Sequence, residues 1–134
     1  MKKAFFLILL LAFILRYNGI NWDEGHHLHP DERMIIMVVG RINLPKTNED
    51  WQKILTPESS FNPKFFAYCS FPMYLLKGAG LLLNMDNYDS SLYLGRIISI
   101  VFDVGTTILV YLITKSVISN FKFLISNKIP NPNI

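Results

Sequence analysis

Apolar residues gather in two long stretches near the ends of this chain, and polar residues fill most of the space between them. The first stretch, residues 4–15, reads Ala-Phe-Phe-Leu-Ile-Leu-Leu-Leu-Ala-Phe-Ile-Leu and is flanked by Lys2, Lys3 and Arg16. Twelve residues rise about 18 Å as a helix, against a hydrocarbon core of about 30 Å. Extension through Tyr17 and Ile20, with Lys3 and Arg16 snorkelling to the interfaces, predicts a span over 4–20. A secretory signal peptide also has a basic start and a short apolar run, but no small-x-small cleavage site precedes Arg16. The second stretch, residues 92–113, is long enough to cross with some tilt and predicts a span over 92–114. Asp89, Ser90 and Ser91 offer capping side chains at its start, and Lys115 and Lys122 follow its end.

Two shorter patterns interrupt the polar middle. His29-Pro30-Asp31-Glu32 opens a stretch that continues through six apolar residues, Met34 to Val39, and stops at Gly40. Pro at a first helical position, acids in the first turn and a closing Gly predict a helix over 30–39. A second apolar stretch over 71–83 carries Lys77 as its only charge. It is too short to span, which makes it an interfacial helix. Residues 43–66, punctuated by Pro, predict an ordered loop. The expected fold is therefore an all-α membrane protein: two transmembrane helices flank an external loop, residues 21–91, that holds two juxtamembrane helices. Residues 115–134 form a tail.

Composition agrees with a bilayer as solvent. Of 134 residues, 51% are hydrophobic and 17% charged, too apolar a mixture for an ordinary small soluble domain. The net charge of +3 conceals a segregation, because every acid except Asp103 lies between Asp23 and Asp89. Cations at the outer ends of both spans place both termini in the cytoplasm and the loop outside. Within the second span, Gly95, Ser99, Asp103, Thr106 and Thr107 share one side, a stripe suited to helix packing. An ionised Asp103 near mid-span costs about 2.5–3.5 kcal/mol, so it is expected to be neutral, paired or facing water. The single Cys69 excludes an internal disulfide.

Candidate chemistry lies in residues 21–33, where four carboxylates and three imidazoles crowd together. Such groups accept protons or bind metals. Asp31 and Glu32 open a helix whose dipole favours ionised carboxylate, so either could serve as a base. His27-Leu28-His29-Pro30-Asp31 also copies five positions of a His-x-His-x-Asp-His metal motif. Glu32 stands where its sixth, His, belongs, and no His follows His29.

Residues 17–33 with their Asp-Glu pair, Phe61-Asn62-Pro63-Lys64-Phe65-Phe66-Ala67-Tyr68, Ser70-Phe71-Pro72-Met73-Tyr74-Leu75 and Leu94-Gly95-Arg96 together resemble the amino-terminal part of GT-C glycosyltransferases. Within them the chain is most similar to protein O-mannosyltransferases and aminoarabinose transferases. The resemblance implies a multi-pass protein of a bacterial or archaeal plasma membrane that takes a polyprenyl-phosphate-linked sugar as donor and an unidentified acceptor. It also implies a catalytic Asp in the first external loop, which matches Asp31 with Glu32 beside it; Asp23, in the repeated pair Asp23-Glu24, is the alternative. Arg33, Arg41, Lys64 and Arg96 are the candidate cations for the departing lipid phosphate. No metal or cofactor is called for, and nucleic acid is not an expected partner. Family members have further transmembrane helices, so the chain is expected to be a fragment lacking most of the donor groove. The other reading is a non-enzymatic two-helix membrane protein or assembly subunit.

Overall fold

The computed structural model describes the backbone of residues 2–128 and the side chains of residues 3–121. The described residues form five helices: α1 (Lys2–Tyr17), α2 (Pro30–Arg41), α3 (Asn48–Gln52), α4 (Phe71–Leu83) and α5 (Tyr88–Lys128). Among the described residues there is no strand. The chain forms two compact units. One holds Gly19–Ser99; the other combines Met1–Asn18 with Ile100–Ile134.

In the unit made from the chain ends, α1 and the later part of α5 lie against each other. The Phe5 and Tyr111 rings stack with centroids 4.0 Å apart, and Arg16 forms an ion pair with Asp103. Asp103 thus takes the paired state among its expected options, and Arg16 points to a partner helix instead of snorkelling alone. Most other large side chains here face outward. Phe6, Leu7, Leu10 and Leu15 are all more than half exposed.

Residues Tyr88–Phe121 form one helix that is long and apolar enough to cross a membrane by length and composition. Among the described residues it is the one helix that does so; the helix at the first expected span does not reach that length. Helix α1 ends at Tyr17, where turns begin and Gly19 adopts φ +99°. Its 16 residues rise about 24 Å, so the expected helical boundary at residue 20 is corrected.

Helix α5 also departs from its expected limits at both ends. It starts four residues early because Asn87, not Asp89, Ser90 or Ser91, supplies the cap: its Oδ1 accepts from the Ser90 amide at 2.8 Å. It continues past Lys115 to Lys128, where the sequence pattern suggests a separate tail; residues 129–134 of that tail lie outside the described residues. The hydroxyls of Ser99, Thr106 and Thr107 bond to carbonyls four residues earlier in their own helix. They leave Gly95 as the stripe's close-packing member, since a Cβ there would meet Leu76 at 3.6 Å.

The Gly19–Ser99 unit packs like a small globular core. Ile36, Val38, Val39 and Ile42 from α2 and its end meet Met73 and Leu76 of α4 and Leu92 and Leu94 of α5. Pro30 and two acids open α2 as expected. Gly40 does not close it; the helix passes through to Arg41, and its capping residue Ile42 is completely buried. Helix α4 occupies its expected residues and ends at Asn84 in the left-handed region, φ +56°. Lys77 on its buried face is neutralised by Asp86, with Nζ 3.0 and 2.9 Å from the two carboxylate oxygens. The loop between α2 and α4 contains α3, which Thr47 and Asp50 start through a reciprocal capping box. The Tyr74 hydroxyl donates to the Phe61 carbonyl at 3.1 Å and the two rings stack, fixing the end of that loop on α4.

Candidate functional site

The crowded segment after α1 does not stay a solvated acidic loop. Residues 18–25 make successive turns, and Glu24, Gly25 and His27 all have positive φ. Non-glycine residues accept that conformation only where the surroundings enforce it. Asp23 does so from the centre: one carboxylate oxygen accepts from the Gly25 amide at 3.4 Å and the other from the Leu28 amide at 3.3 Å. Its side chain has no exposed surface.

Arg96, in the first third of α5, meets that carboxylate. Nη1 donates to Asp23 Oδ1 at 2.9 Å and Nη2 to Oδ2 at 2.8 Å, the two-pronged geometry that makes guanidinium–carboxylate pairs strong. Nη2 and Nε also donate to the two oxygens of Glu32, at 2.7 and 3.3 Å, and Nη1 donates to the Ile20 carbonyl at 2.7 Å. The Trp22 ring lies 5.8 Å from the guanidinium carbon, within cation–π range. Hydrogen bonding from Arg96, followed by its charge and the two amides, outweighs desolvation and holds the Asp23 carboxyl well below the usual carboxylate range.

Asp31 stands apart from this cluster. It lies in the first turn of α2, is exposed, and makes no ion pair among the described residues. Its neighbour across the fold is Tyr68, whose phenol is pushed up chiefly by a hydrogen bond to Asp31. Of the candidate cations, Arg33 and Lys64 are exposed. Lys64 sits in the left-handed region with its amide bonded to Asn62 Oδ1 at 2.9 Å. Arg41 is at the far end of α2, lining a cavity of about 220 Å³ with Met37, Asn87, Tyr88 and Ser91. Of these four Arg96 alone is buried, and its hydrogen bonds go to two protein carboxylates and the Ile20 carbonyl.

The three imidazoles separate. His26 and His29 are exposed, whereas His27 is buried, packs at a tilt against the Tyr88 ring with centroids 4.6 Å apart and reaches Asp89 with Nε2 at 2.8 Å. Among the described residues no three His, Cys, Asp or Glu side chains come together as a metal site, and no strand precedes the His-x-His segment, as the metal motif requires. Sequence reasoning missed the pairing of Asp23 with Arg96 and of His27 with Asp89. The available signal was an arginine placed early in an otherwise apolar span, which needs a buried anion.

No protein-family model, curated protein or solved structure matches the chain, so its functional reading stands on this geometry and on the motif resemblance.

Proposed function

We propose that the chain is the amino-terminal part of a membrane glycosyltransferase that moves a sugar from a polyprenyl-phosphate carrier to an acceptor hydroxyl. Asp31 is the base. The supporting observation is the contrast between two carboxylates: Asp23 is sealed against Arg96, whereas Asp31 is exposed at a helix start. In the reaction the acceptor oxygen bonds to the anomeric carbon, its proton passes to Asp31, and the anomeric bond to phosphate breaks. Arg33, Arg41 and Lys64 are the cations open to the departing lipid phosphate.

The proposed setting has α1 and α5 crossing the bilayer, both termini cytoplasmic and residues 21–91 outside. The outward apolar side chains of the helix pair support it. Cys69 is exposed, and a membrane-impermeant thiol reagent on intact cells should label it; labelling only after permeabilisation would overturn this orientation.

Transfer of labelled sugar from its lipid carrier is the test of activity, measured in membranes containing the longest reading frame that includes these residues. Asp31→Asn should reduce turnover by about 10²–10⁴-fold at equal protein abundance. Near-normal turnover there with an inactive Asp23→Asn would move the base to Asp23. Two active variants would remove both carboxylates as the base, and no transfer by the parent protein would favour a second reading, a non-enzymatic membrane subunit whose Asp23–Arg96–Glu32 cluster serves only to hold the fold.

A further inference from the structure

Arginine has five N–H groups, and on Arg96 every one is engaged: two by Asp23, two by Glu32 and one by the Ile20 carbonyl. A residue so occupied has no donor left for a lipid phosphate. Its partners lie 73 and 64 positions away in the chain, and Glu32 is covalently next to Asp31. We propose that Arg96 is a positioning residue: through Glu32 it fixes the first turn of α2, and with it the place and electrostatic surroundings of the Asp31 carboxylate, instead of binding donor phosphate. This rests on the transferase reading, in which Asp31 is the base.

The charge balance gives the proposal a signature that simple fold support would not. Two carboxylates against one guanidinium leave the cluster with one net negative charge, and one of its members, Glu32, is the next residue in the chain to Asp31. Removing Glu32's charge by Glu32→Gln brings the cluster to neutrality, which favours ionised Asp31. Removing the cation by Arg96→Gln leaves two negative charges and disfavours it. The other titratable and charged groups near Asp31 are Tyr68, whose phenol Asp31 pushes up, and His29 and Arg33, which flank the pair in sequence; none changes between these variants. Glu32→Gln is the more conservative variant because it keeps both Asp23–Arg96 bonds and a carbonyl oxygen for Arg96.

The experiment follows reaction of Asp31 with a hydrophobic carbodiimide, which attacks protonated carboxyls, across pH by peptide mass spectrometry on the full chain in bilayers. Relative to the parent, the labelling midpoint should move down in Glu32→Gln and up in Arg96→Gln, by about half to one pH unit each. In parallel, Arg96→Lys, whose single nitrogen carries three donors, should lower kcat about tenfold or more while KM for the polyprenyl-phosphate sugar stays within about threefold. An unmoved midpoint in folded Glu32→Gln overturns the proposal. So does a raised KM with kcat preserved in Arg96→Lys, the result for a phosphate ligand. Opposite midpoint shifts in a chain that transfers no sugar would sustain the positioning role and remove the transferase reading.

Discussion

The Gly19–Ser99 unit and the helix pair built from the chain ends use similar side chains in opposite ways. In the former, Ile42, Val39 and Met73 are sealed from solvent and one arginine is wrapped in protein acceptors. In the latter, leucines and phenylalanines point outward, and the contacts among the described residues include an aromatic stack and an ion pair. The difference shows where each unit finds its apolar surroundings. One makes its own interior; the other leaves most of its large apolar side chains outside any protein interior.

The sharpest way to break this contrast is at Arg96. Arg96→Met removes the cation and strands two carboxylates, one fully buried, at a cost of about 3–5 kcal/mol. Thermal melts in detergent and amide exchange of residues 19–42 should both register it, while exchange in α1 stays unchanged. Acid tests the same cluster without mutation. Because Asp23 is held below its ordinary range in the folded unit, its contribution is complete above about pH 4 and declines as pH falls further, towards its lowered folded value. Stability of the unit that keeps rising below pH 4 would contradict the pairing.

A matched pair of truncations compares the two interiors directly. Ile42→Ala should cost about 2–5 kcal/mol, since it opens a cavity at a site with no exposure. Leu10→Ala, at a position more than half exposed, should change folding stability by no more than about 0.5 kcal/mol in detergent. Equal losses would mean that the helix pair has a protein-made core after all. The smallest change is expected at Thr47→Ala, which removes half of the α3 capping box for about 1 kcal/mol and should free residues 46–53 to exchange.

Helices with strong end signals were legible from sequence. Pro30 with Asp31 and Glu32 marks a start that the structure reproduces, because those signals act within one turn, and the apolar run over 71–83 gives α4 its limits. Limits governed by longer-range contacts were not. Gly40 continues its helix because the following Ile42 is drawn into the core, and α1 stops at Tyr17 because the chain must turn to present Asp23 to Arg96. The chemistry was legible as a list of residues but not as an arrangement. The Asp23–Arg96 contact joins residues from separate parts of the chain, and no local periodicity encodes which acid an arginine will choose.

That contact also sets an order in time. Asp23 and Glu32 leave the ribosome 73 and 64 residues ahead of Arg96, which at about 5–20 residues per second is roughly 3–15 seconds. During this interval neither carboxylate has its native cation, and the left-handed turn around Glu24, Gly25 and His27 lacks the contact that holds it. The segment therefore waits as hydrated chain, long after α2 has had time to coil on its own microsecond scale. Synthesis of Arg96 is the event that lets the turn after α1 close.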